Sequence, residues 1–133
     1  MEHITITENS FFGIIEGTLK NDADPSKRSE VSFKDEEALG FIETRDQKIT
    51  TPKPFEPTNQ FDGFKGSLDT FKKKRKTNLK FVKSTKEDLR NRYFDFPFGK
   101  LDSYQIILFM SGHTKRHTDQ IKEVMASANF PTA

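Results

Sequence analysis

The chain contains no cysteine. That excludes a disulfide framework, a zinc–thiolate site and a cysteine nucleophile, and it fits a reducing compartment. Long apolar runs are missing too. The longest, Ile106-Ile107-Leu108-Phe109-Met110, falls far short of the roughly 20 residues needed to cross a bilayer. Met1-Glu2-His3 carries neither the basic nor the apolar stretch of a secretory signal. Nor is there an excess of one charge: 22 Lys and Arg stand against 20 Asp and Glu, a balance of +2. So small a balance is no footprint for a nucleic-acid polymer. These absences predict a soluble, cytoplasmic protein without nucleic-acid or membrane partners.

A length of 133 residues predicts one domain over residues 1–133. Only 32% of residues are hydrophobic, so the core must be economical. Tryptophan is absent, and fourteen phenylalanines supply much of that core, because each buried aromatic removes a large area from water.

Helical periodicity dominates. Ile4, Phe11, Ile15 and Leu19 share one side of a first helix over about residues 2–19. Asn21 to Pro25 end it. Ser32, followed by Asp35 and Glu36, predicts the N-cap of a short second helix through Ile42. Pro52, Pro54 and Pro57 make residues 50–59 an extended connector. A third helix is predicted from about Gln60 to Lys83, with Phe61, Phe64, Leu68, Phe71, Arg75, Leu79 and Val82 on one face. Ser84 and Glu87 have capping-box spacing for a further short helix through Leu89. Phe96-Pro97-Phe98-Gly99 reads as a turn. Asp102 and Gln105 form a second capping box, opening a last helix that carries Ile106, Met110, His113, His117, Gln120, Ile121 and Val124 on one face. No segment alternates convincingly at period two. The fold class expected is all-α: a helical bundle of three long helices plus short ones.

His3, His113 and His117 are the only histidines. The last two are four apart on a helix, so both imidazoles leave the same apolar face. Buried there without polar partners they would cost desolvation energy. A divalent metal satisfies both at once, and His3 heads a helix long enough to reach them. Three imidazoles with an open position are the ligand set of a catalytic site. Imidazole suits zinc, nickel, copper and iron alike, with zinc and nickel expected first. Gln120, one turn beyond His117, is the best candidate to orient a ligand; Glu2, Glu8 and Asp119 are weaker ones. Lys72 to Lys76 wrap more than a full helical turn, so they read as a solvated face. Arg75 is the exception, falling on the apolar stripe. It suits an inward ion pair with a carboxylate of another helix, or a grip on an anionic substrate; the ion pair is favoured.

Ser111-Gly112-His113-Thr114-Lys115-Arg116-His117-Thr118-Asp119-Gln120-Ile121 resembles the last-helix motif of the DinB-like superfamily, His-x-x-Arg-His-x-x-Gln-Ile, preceded by a Phe-Gly turn that Phe98-Gly99 matches. Glu2-His3-Ile4 resembles the segment bearing that family's first ligand. Asp46-Gln47-Lys48 before Pro52, and Arg75, add to the likeness, which covers most of the chain. The resemblance implies a four-helix bundle with a divalent metal on His3, His113 and His117. It also implies a small-molecule hydrolase, or a thiol-dependent S-transferase using a low-molecular-weight thiol. Family members have a full helix before the first histidine; this chain begins almost on it. A second copy covering the exposed groove, a homodimer through apolar residues of the first and third helices, is therefore expected. A short helix folding back over the groove is the alternative. The rival function is a non-catalytic association protein with a vestigial metal site.

Overall fold

The structure is a computed structural model, and it describes residues 1–44 and 50–131. Asp46, Gln47 and Lys48 lie outside the described residues. The described chain is mostly helical, in keeping with the all-α class. Four α-helices form: α1 (Glu2–Thr18), α2 (Asp35–Glu43), α3 (Gly63–Ser84) and α4 (Ser103–Met125). A hairpin of β1 (Tyr93–Phe96) and β2 (Gly99–Asp102) precedes α4. Short 3-10 turns occupy Pro25–Glu30, Lys53–Phe55 and Leu89–Asn91.

α1 is the central helix, packed against both α3 and α4, while α2 lies on the other side of α4. Contacts fix the directions. His3 meets His113 and Thr18 meets Ser103, so α1 and α4 are antiparallel. Thr5 meets Ser67 and Glu8 meets Arg75, so α1 and α3 run parallel. α2 runs parallel to α4, and Gly112 is the point of closest approach. A Cβ there would lie 2.4 Å from Ile42 Cγ2, so only glycine lets the two helices meet at that level.

The core is a phenylalanine cluster. Phe109 of α4 lies 5.1 Å from Phe11 of α1 and 5.4 Å from Phe98, whose ring is nearly parallel to it. Phe98 in turn lies 5.1 Å from both Phe96 and Phe41. Ile15 and Ile106 complete it, fully buried. The hairpin turn therefore delivers two aromatic rings into the core as well as reversing the chain. Each such aromatic pair adds about 0.5–1.5 kcal/mol beyond its area burial.

The structure corrects several expectations. The turn at residues 96–99 sits inside a hairpin, with Tyr93 paired to Asp102 and Phe96 to Gly99. Four-residue strands are too short to show alternation. Ser32 does not cap α2. Its hydroxyl accepts from the Lys100 N–H and its own N–H donates to the Lys100 carbonyl, which ties it to the hairpin. α2 starts after Lys34 instead, with Glu37 accepting from the Lys34 N–H. Ser84 ends α3 and donates back to the Lys80 carbonyl. The next turn is capped by Asp88, which accepts from the N–H groups of Arg90 and Asn91.

The face of α3 differs most. Phe64, Leu79 and Val82 are exposed, Phe64 at 70%. Ser67 and Asn78 are the buried residues. The reason lies in α1, which presents Thr5 and Glu8 to this neighbour. Thr5 Oγ1 donates to the Ser67 carbonyl at 2.9 Å, and Asn78 Nδ2 to Glu8 at 2.9 Å. Phe12 against Phe81, at 5.4 Å, is the aromatic contact of this pair. The short helix α2 packs on α4, so it is not the lid over α1 and α3.

Candidate metal centre

His3 lies in the first turn of α1, and His113 and His117 lie one turn apart on α4. Antiparallel packing brings the start of one helix to the later turns of the other. His113 Nε2 stands 3.2 Å from His3 Nε2 and 3.1 Å from His117 Nε2. One ligand atom from each residue fits within 4.8 Å of the others. The structure thus brings together all three histidines singled out in the sequence.

Proton counting decides what this cluster can do. His3 Nδ1 lies 2.8 Å from the Phe55 carbonyl. A carbonyl only accepts, so Nδ1 carries the proton and Nε2 of the neutral ring presents a bare lone pair. His113 Nε2 faces that lone pair on one side and His117 Nε2 on the other. It has either one proton or one lone pair, so it cannot make a good hydrogen bond to both. A cation at the point of convergence turns three competing lone pairs into three ligands. The two separations about His113 fit: nitrogens at about 2.0–2.1 Å from a tetrahedral ion lie about 3.3 Å apart.

The protonation states suit the role. Burial, reinforced by the neighbouring imidazoles and Arg116, pushes His113 down to about 3. Burial and the His3 ring also lower His117, opposed by a side-chain hydrogen bond with Gln120. Both rings are therefore neutral at pH 7, the form that donates to a metal. The donor set is nitrogen only, which suits zinc and nickel better than calcium or magnesium. The described residues include a three-histidine group that could hold a metal ion.

The candidate orienting residues separate. Gln120 is the one that hydrogen-bonds to a histidine of the cluster, His117. Glu2 instead accepts from the Thr58 and Gln60 N–H groups, at 2.9 and 3.0 Å. It clamps the connector that carries the Phe55 carbonyl. Asp119 pairs with Lys115 at 3.0 Å. Glu8 is buried and receives both arms of Arg75 at 2.7 Å. Arg75 also donates to Thr114, beside His113, at 2.8 Å and stacks on Phe71. The favoured inward ion pair is thus present, and it ties α1, α3 and α4 together next to the histidines. Lys72, Lys73, Lys74 and Lys76 are exposed around it. The Phe55 carbonyl was not foreseeable, because a main-chain acceptor leaves no mark in residue identity.

A groove of about 430 Å³ opens on the centre. His3, His117 and Gln120 form one part of its wall, and Ile4, Ile121, Val124 and Phe130 line much of the rest. No helix among the described residues is long and apolar enough to cross a membrane. Comparison with protein-family models gives no match, and neither do searches of curated proteins and of solved structures.

Proposed function

We propose that the protein is a metal-dependent enzyme of the DinB-like type, acting on a small molecule as a hydrolase or thiol-dependent S-transferase. One observation carries the reading: three imidazoles converge without a consistent hydrogen-bond pattern, and two of them, His3 and His117, line a ligand-sized groove. Zinc or nickel is the ion expected on His3, His113 and His117. Such an ion lowers the pKa of a bound water or accepts a thiolate. The chain's own residues supply the rest. Phe55 fixes the His3 tautomer, Gln120 holds His117, and the Glu8–Arg75–Thr114 link keeps α4 in register with α1. The antiparallel pairing of α1 and α4, which together carry all three histidines, supports the DinB-like reading. The test is zinc titration by calorimetry on metal-stripped protein. One ion per chain with sub-micromolar affinity is expected; no uptake of zinc or nickel removes the basis of the proposal.

Association has its own supporting observation. Phe64, Leu79 and Val82 leave α3 with exposed apolar side chains, whereas Phe11 and Ile15 of α1 are already covered within the chain. A homodimer would therefore use α3, and α1 only marginally. Burial of apolar surface contributes about 25 cal/mol per Å² before association costs. Sedimentation at micromolar concentration should give a dimer that Leu79→Ser/Val82→Ser converts to monomer. A wild-type species of 15.4 kDa would rule the dimer out.

A further inference from the structure

The groove beside the histidines is chemically lopsided. At one end stand the imidazoles of His3 and His117 and the amide of Gln120. The remaining side chains are apolar: Met1, Ile4, Ile121, Val124, Met125 and Phe130. No Asp, Glu, Lys or Arg side chain lines it, although charged residues make up 32% of the chain. Ile121 is 55% exposed and Val124 60%. The exposed charged residues of α4, Lys115, Lys122 and Glu123, do not line the groove, whereas Ile121 and Val124 lie on the edge that adjoins the histidine cluster. A volume of about 430 Å³ is within the ordinary range of small-molecule sites.

We propose that the groove selects amphiphilic ligands, seating an uncharged hydrocarbon tail along Ile4, Ile121, Val124 and Phe130 while a donor head group reaches the three-histidine centre. The inference rests on the metal reading, because the head group needs an ion there. Apart from the main-chain ammonium of Met1, which lies near His117 at the polar end, the lining carries no charged group, and this disfavours a second charged group on the ligand's far end. A charged terminus would lose water without gaining a partner. A hydrocarbon tail loses only unfavourable hydration, and each methylene that leaves water strengthens binding up to about fourfold.

Hydroxamates separate the two parts of the proposal, because they share one metal-binding head and differ only in tail. Calorimetry on the zinc-loaded protein should show acetohydroxamate binding weakly. Hexanohydroxamate should bind at least about tenfold more tightly, and octanohydroxamate tighter still. Adding a terminal carboxylate to the six-carbon tail should cancel most of that gain. The double variant Ile121→Ser/Val124→Ser, at positions outside the core, should retain its zinc stoichiometry yet lose most of the gain with tail length. Acetohydroxamate binding with no improvement along the series overturns the tail site and leaves the metal reading intact. Failure of zinc to bind overturns the metal reading and the tail site with it; zinc uptake with no binding by any member of the series overturns the tail site alone.

Discussion

α4 carries a polar cluster at each of two levels, and the two are built on opposite principles. At its N-terminus Asp102 is fully buried, yet every demand it makes is met. Its carboxylate caps the Gln105 N–H at 2.7 Å and also receives Arg28 and Arg90. Arg90 forks onto Asp35 at 2.7 and 2.8 Å and lies over the Tyr104 ring. Gln105 donates to the Phe33 carbonyl. Donors and acceptors match, and the network joins the hairpin, α2 and α4. Three turns further on, His3, His113 and His117 point their Nε2 atoms at one another with no such match. A closed network stabilises a fold by itself. An open set of convergent lone pairs is complete only with something from outside. That difference is the ground on which we read one cluster as architecture and propose the other as a binding centre, although both are polar and both are substantially buried.

The largest expected effect separates the two directly. His113→Ala and His117→Ala should each weaken zinc binding by more than about a hundredfold, beyond the range for loss of an outer-shell contact. Both should lower the metal-free urea midpoint far less than they lower zinc affinity, since the Nε2 contacts conflict with one another; His117→Ala also gives up the hydrogen bond with Gln120. Zinc affinity by competition with a chelator, with unfolding followed in parallel, reads both. Near-wild-type affinity in either variant would erase the contrast between the clusters.

Asp102→Ala should do the reverse. It removes an N-cap, worth about 1 kcal/mol, and leaves Arg28 and Arg90 without their shared carboxylate. Both arginines are partly exposed, so water compensates much of the ion-pair loss. A fall of about 2–4 kcal/mol in urea unfolding is expected. Zinc stoichiometry of the folded fraction should remain unchanged. Equal damage to stability and to zinc affinity would mean that α4 transmits disturbance along its length and the clusters are not independent.

The same contrast governs what was legible in the sequence. The Asp102–Gln105 box and the His113–His117 pair are local patterns at fixed helical offsets, and both occupy the positions their spacing implies. The long helices α1 and α4 were legible for the same reason. The partner of each cluster was less so. That Asp102 would be shared by Arg28 and Arg90, or that Phe55 would offer its carbonyl to His3, depends on loops whose paths no periodicity encodes. The hairpin escaped because each strand is only four residues long, and Phe98, in the turn outside both strands, joins the core beside Phe96. The buried side of α3 escaped because its neighbour is polar there. With Glu8 and Thr5 facing it, Ser67 and Asn78 are the residues that fit, and an apolar stripe was the wrong guide. Arg75 was legible as an inward charge, though not as the link between three helices.

The smallest effect concerns acid. Arg90 holds the Asp35 carboxyl below its usual value of 3.8, aided by Gln105 and opposed by partial burial. A depressed carboxylate pKa means that the folded state favours the ionised form. The unfolded chain therefore binds the proton first as pH falls. The stabilisation is fully present above the unfolded value and fades as pH drops through it towards the lower folded value. The wild-type urea midpoint should accordingly decline below about pH 4. Asp35→Asn retains the shape and one acceptor for Arg90 but has no proton to take up. Its midpoint should start lower at neutral pH and fall less steeply in acid, so that the two curves converge as Asp35 becomes protonated. Zinc affinity at neutral pH should be the same in both proteins, because this carboxylate belongs to the closed network and not to the histidine centre. Parallel curves that never converge would show that Asp35 contributes through shape alone and that its charge adds nothing to the network.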